Sequence, residues 1–158
     1  MATTTLNLYL VHHGVAVGAE VDARRPLSPA GLANVERLAS LAAARGAKPA
    51  VVWHSGKLRA KQTAEAFWRA CNALAEFSAT RDLQPDDPAQ WIRDRLRGET
   101  RDILIAGHFT HLPRLLSLLV VGGEAGVEFP MNGVVALSSE DGGETWKELW
   151  RLNAKDRG

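Results

Sequence analysis

Three short apolar runs, each stopping at a polar turn that holds a histidine, constrain the fold of this chain more than any other feature. Leu6–Val11 ends at His12-His13-Gly14, Ala50–Trp53 at His54-Ser55-Gly56, and Ile103–Ala106 at Gly107-His108. Runs of this length bounded by turn residues have the size of buried strands. Between them the apolar spacing changes to a helical period. Ser28-Pro29 reads as an N-cap followed by proline at the first helical position. Leu32, Val35, Leu38 and Ala42 then recur on one face before Gly46 stops the helix.

A second helix carries Ala60, Ala64, Phe67, Cys71 and Leu74 on one face. Pro85-Asp86-Asp87-Pro88 marks a loop, and Trp91, Ile92 and Leu96 suggest a short helix after it. Leu112–Val121 is apolar nearly all round, as in a deeply packed helix, and Gly122-Gly123 ends it. Val134–Leu137 and Trp146–Trp150 read as strands flanking a hairpin turn at Glu140-Asp141-Gly142-Gly143. Strands alternating with helices point to an α/β chain, a three-layer α/β/α sandwich around a largely parallel sheet. The 158 residues suit one domain spanning 1–158, without repeat, low-complexity tract or linker.

Composition narrows the function classes. Nineteen basic against 18 acidic side chains leave a net charge of +1, which supplies no electrostatic footprint for nucleic acid or an anionic membrane. Met1–Thr5 has no basic leader region, and Leu6–Val11 is too short for a signal peptide or a membrane span. The one cysteine, Cys71, excludes an internal disulfide and reads as a small buried hydrophobe. A cytoplasmic monomer is the expectation.

In open α/β sheets, ligands bind outside the carboxyl ends of the strands. His12, His13, His54, Arg59 and His108 should therefore meet on one rim. Imidazoles and a guanidinium together suit a phosphoryl group, since arginine grips two oxygens through its planar fork and a neutral imidazole can attack phosphorus.

Four blocks in order carry a family resemblance: Leu-Tyr-Leu-Val-His-His-Gly (8–14), Arg-Pro-Leu-Ser-Pro-Ala-Gly (25–31), Ser-Gly-Lys-Leu-Arg-Ala-Lys-Gln-Thr-Ala-Glu (55–65) and Ala-Gly-His (106–108). They resemble the histidine phosphatase, or phosphoglycerate-mutase-like, superfamily, and within it the small SixA-type phosphohistidine phosphatases. The resemblance implies that His13 is the nucleophile that becomes phosphorylated. Arg59 would bind phosphate oxygens, His108 would complete the pocket, and Arg25 matches a further arginine of the SixA-type pattern. Pro26 should bias Arg25 toward an extended backbone.

Two departures qualify the match. His12 stands where the family usually has arginine, and a lost charge-assisted contact is worth about 1.5–3 kcal/mol. A protonated His12 at the phosphate would recover part of that. Larger family members also carry an acidic proton donor in an insertion after the second helix. Here Asp82, Asp86 and Asp87 are the nearest candidates, and the sequence assigns none of them. A phosphohistidine leaving group needs less help, because imidazole protonates near neutral pH and an alkoxide does not.

The reading is a metal-independent phosphatase without cofactor, acting on a phosphorylated histidine-containing protein of a phosphorelay or phosphotransfer system. A small-phosphomonoester phosphatase and a weakened phosphate-binding or regulatory module are the alternatives. A metal site built from His12, His13, His54, His108 and His111 lacks a His-x-x-x-His helix motif and carboxylate ligands. Plain structural roles also compete. His13 would be a strand-end histidine satisfied by backbone, Arg59 a solvated helix residue paired with an acid, and Arg24-Arg25 a solvated pair. His54 and His111 fit structural or rim positions best, and Trp146 and Trp150 fit packing.

Overall fold

A computed structural model describes residues 5–157. All of Met1–Thr5 except Thr5 therefore lies outside the described residues. The elements follow in the order β1 (Leu6–His12), α1 (Pro29–Ala44), β2 (Val51–His54), α2 (Leu58–Cys71), β3 (Glu76–Ala79), α3 (Ala89–Leu96), β4 (Ile103–Gly107), α4 (His111–Val121), β5 (Val134–Ser139) and β6 (Lys147–Leu152). They build one sheet in the order β3-β2-β4-β1-β5-β6. The first four of that order are mutually parallel, while β5 runs antiparallel to β1 and β6 antiparallel to β5.

Alternation along the central strands sorts their side chains into two cores. Leu8, Leu10, Trp53, Ile103 and Ile105 face Ile92, Leu96, Leu112 and Leu115 of α3 and α4. Tyr9, Val11, Val52, Leu104 and Ala106 face Val35, Leu38 and Phe67 of α1 and α2. A strand covered on both faces has no polar side to show, which is why these segments read as unbroken apolar runs. The layers are those of an α/β/α sandwich.

The helix signals are real but overrun in places. Ser28 Oγ accepts the Gly31 N–H at 3.0 Å, with Pro29 opening α1. Gly122 closes α4 in the left-handed conformation, φ +82°. Leu32, however, is substantially exposed, and Leu74 lies beyond the end of α2 at 96% exposure. Helical spacing alone could not foresee that Asn72 turns extended and ends α2 there. Nothing in the sequence announces β3, because an edge strand that stays largely exposed needs no apolar run. Trp146 precedes β6 and is buried, its indole N–H donating to the Gly143 carbonyl at 3.1 Å. Burial pushes the Cys71 thiol up to about 11, as suits an unreactive packing residue. Among the described residues no helix is long and apolar enough to cross a membrane.

The loop after β1 is lashed to both helices of one layer. Ser28 N–H donates to the Val15 carbonyl at 2.9 Å, Leu27 N–H to Gln62 Oε1 at 2.7 Å, and Gly14 N–H to Thr63 Oγ1 at 3.1 Å. Gly31 makes this approach possible, since a Cβ there would overlap the Val15 carbonyl. Gly31→Ala is expected to destabilise the protein by about 1–3 kcal/mol, read as a lower urea midpoint at unchanged slope. An unchanged midpoint would mean that the loop does not press on α1.

Candidate active site

Three parallel strands deliver the site. His13 follows β1, Ser55 and the first turn of α2 follow β2, and His108 follows β4. The His13 backbone N–H donates to the Gly107 carbonyl at 3.1 Å, locking the ends of β1 and β4 together. The His13 ring lies 5.1 Å from the His108 ring and 4.5 Å from the His12 ring, centroid to centroid.

His13 has one ring nitrogen tied to the backbone. Its Nδ1–H donates to the Gly14 carbonyl at 2.7 Å, so Nε2 keeps its lone pair in the neutral ring. Burial holds its pKa below the ordinary 6.5, and the charges of Arg59 and Arg25 act the same way, against the opposing pull of the Gly14 carbonyl. His108 is almost wholly buried and pushed down to about 3, first by burial and then by surrounding positive charge that includes Lys57. Its Nε2 lies 2.6 Å from Ser55 Oγ, while Nδ1 is buried with no partner among the described residues.

Arg59 sits in the first turn of α2 with a buried, unpartnered Nε, and its pKa is lowered by burial and by Arg25. Among the described residues neither Arg25 nor Arg59 has a carboxylate within salt-bridge distance. The reading of Arg59 as an ion-paired surface residue therefore fails. Arg24, not Arg25, pairs with Asp22, at 3.2 Å.

The extended backbone expected for Arg25 is also wrong. It adopts φ +51°, because its N–H closes a turn onto the Asp22 carbonyl at 2.9 Å. That turn sends its Nε to the Val17 carbonyl at 3.1 Å and leaves its charge felt at both His13 and Arg59.

His12 departs from expectation in charge. Its ring stacks on Phe109 at 4.1 Å, and its Nδ1 accepts the Asn132 backbone N–H at 2.7 Å. Burial above all, then His13 and Arg59, pushes it down to about 3. His12 is thus a neutral imidazole with its proton on Nε2, able to give one hydrogen bond but no charge.

His54 and His111 stay apart from the cluster. His54 Nδ1 accepts the Gly56 N–H at 3.0 Å and so shapes the turn after β2. His111 is fully buried with neither ring nitrogen partnered among the described residues, and burial pushes it down to about 4. Asp82 pairs with Arg95 at 3.5 Å and Asp87 caps Gln84 N–H at 2.9 Å, so both carboxylates are engaged elsewhere. Among the described residues no three His, Cys, Asp or Glu side chains converge as a metal-binding group.

Sequence reasoning missed four contributors. Ser55 touches His108, Lys57 adds charge beside it, Thr63 holds Gly14, and Asn132 binds both His12 and, through its side chain at 2.8 Å, the His13 carbonyl. Ser55, Lys57 and Thr63 lie in the 55–65 block from which Arg59 alone was singled out, and Asn132 forms an Asn-Gly pair just before a strand. The residues brought together carry positive charge and buried nitrogens, Arg59 Nε and His108 Nδ1, that lack a partner among the described residues, which suits an oxyanion.

No family model matches the chain, and no curated protein matches it. Solved structures do. The protein histidine phosphatase SixA complexed with tungstate superposes with a TM-score of 0.79 over 94% of this chain and 97% of that one, at 19% identity. The chain has the SixA fold. A structure from Agrobacterium tumefaciens described as a SixA phosphohistidine phosphatase gives 0.75 over 96% and 98%, at 24% identity. A phosphoglycerate mutase from Plasmodium falciparum gives 0.69 over 96% and 92%, at 16% identity. The SixA-like chain described here thus shares a fold with phosphatases and mutases alike.

Two outcomes follow for pH. His13 must be neutral to attack, and its pKa is depressed, so kcat/KM should hold as pH falls through 6.5 and drop only below it. A limb centred at or above 6.5 in the free protein would contradict the burial argument. His12 does not change charge near neutrality, so the ratio of His12→Arg to wild-type activity should stay constant between about pH 6 and 9. A ratio that rises with pH would mean that His12 titrates there.

Proposed function

We propose that this chain is a metal-independent phosphatase that works through phosphorylated His13 and takes phosphohistidine on a phosphorelay or phosphotransfer protein in the cytoplasm. One observation carries the reading: a histidine with Nδ1–H tied to a backbone carbonyl at 2.7 Å stands among guanidinium groups that no carboxylate among the described residues neutralises. The likeness to a SixA protein solved with tungstate, an oxyanion like phosphate, supports the same pocket.

In this reading the Nε2 lone pair of His13 attacks phosphorus and the P–N bond to the substrate imidazole breaks. That imidazole takes its proton from solvent. Water then attacks the phosphoryl group, the Nε2–P bond breaks, and phosphate leaves. Throughout, Nδ1–H stays on the Gly14 carbonyl and stabilises the positive ring. Arg25 and Arg59 hold the equatorial oxygens, with His12 Nε2–H and His108 as further donors. Asp82 pairs with Arg95 and one Asp87 oxygen accepts the Gln84 N–H; an imidazole leaving group needs no carboxyl donor where an alkoxide would, which favours P–N over P–O cleavage.

The neutral His12 favours one competing reading, a phosphate-binding module that turns over weakly or not at all. Turnover decides between them. Incubation with a phosphohistidine protein should release phosphate, leave an acid-labile label on the wild type, and proceed equally with EDTA. His13→Ala should take no label and lose at least about a thousandfold in rate, as expected when a nucleophile is removed. Label persisting in that variant, or phosphate bound without release, would overturn the phosphatase assignment.

A further inference from the structure

Ser55 has no role in the steps above, yet it is built into the site from three directions. It is buried between β2 and α2, with Oγ 2.6 Å from His108 Nε2. The same Oγ accepts the Lys57 backbone N–H at 3.3 Å, and the Ser55 carbonyl accepts Gln84 Nε2–H at 2.9 Å. A hydroxyl has one proton to give and lone pairs to receive. Lys57 N–H takes one lone pair, and among the described residues His108 Nε2 is the one acceptor within hydrogen-bond distance of the buried hydroxyl's proton, which assigns that proton to it. A neutral imidazole that accepts at Nε2 carries its own proton on Nδ1. That Nδ1 is the buried nitrogen without a partner among the described residues, on a ring 5.1 Å from His13.

We propose that Ser55 is a positioning residue that fixes His108 as its Nδ1–H tautomer, so that the pocket offers an incoming phosphoryl oxygen a donor and not a lone pair. The inference rests on the phosphatase reading only for its effect on turnover. The opposite tautomer would set a lone pair against an anionic oxygen, replacing an attraction with a repulsion. The orphaned N–H also explains itself: a donor buried without an acceptor is costly in the empty pocket, and that cost is relieved when an oxyanion arrives. Ser55 acts on the reaction only through His108.

Nitrogen-15 NMR of the resting wild type should show the His108 proton on Nδ1, with Nε2 bare. A proton on Nε2 overturns the proposal without any variant being made. In Ser55→Ala the proton should move wholly or partly to Nε2, and affinity for inorganic phosphate should fall about tenfold. The kcat for a phosphohistidine protein should fall about ten- to a hundredfold with a smaller change in KM. Ser55→Thr, which keeps the hydroxyl, should restore the Nδ1–H tautomer. Unchanged tautomer and phosphate affinity in Ser55→Ala would sink the idea. Both are read on the resting protein, so a His13 that never takes label would overturn the phosphatase reading while they still decide Ser55.

Discussion

The bond from His13 Nδ1–H to the carbonyl of its own neighbour, Gly14, at 2.7 Å, is the contact on which the chemistry of the site turns. It decides which nitrogen is bare and which way the ring faces, while burial, against the pull of that carbonyl, holds the ring's pKa below its ordinary value. Its geometry depends in turn on the turn after β1, which Thr63, Gln62 and Ser28 hold by way of Gly14, Leu27 and the Val15 carbonyl. A shift of the helices against the sheet would therefore be felt first as a change in which His13 atom meets the substrate.

Around that ring the pocket collects groups of one sign. The charges of Arg25, Arg59 and Lys57 lie close enough to the three imidazoles to add to the burial that lowers those rings' affinity for protons. Charge repulsion would open such a cluster if the rings were cationic. Burial above all lowers their pKa values, and backbone groups fix their tautomers: Asn132 N–H occupies His12 Nδ1, and the Gly14 carbonyl takes His13 Nδ1–H. The remaining positive charge belongs to the guanidinium groups of Arg25 and Arg59 and the ammonium group of Lys57. The pocket is thus tuned to bind negative charge while keeping a lone pair available at neutral pH.

Legibility in the sequence followed burial. β1, β2 and β4 could be read from their apolar runs because both their faces are covered, and so could the residues that end them, His13 and His108. Arg59 was legible through the block that contains it. The edge strand β3 was not, since exposure removes the pattern that marks a strand. Leu32 and Leu74 sit on a helical period but not on its buried part. The charge of His12 was illegible for another reason, because it depends on burial in the folded site, where a backbone N–H from Asn132, 120 residues away along the chain, meets its ring. The turn at Arg25 depends on a carbonyl three residues back, a local contact that overrides the bias of the following proline.

The Asn132 clamp has a consequence for how the molecule comes into being. Its two bonds, to His12 Nδ1 and the His13 carbonyl, join residues separated by 120 and 119 positions, and the His12 N–H reaches the Gly133 carbonyl beside them at 3.0 Å. Contacts of such long range form late, since most of the chain must already be gathered before they repay the entropy of closing the loop. During synthesis the first strand and its histidines emerge long before the segment that finishes them. A growing or truncated chain therefore carries His12 and His13 without their setting, and the arrangement of the two rings is completed only together with the sheet.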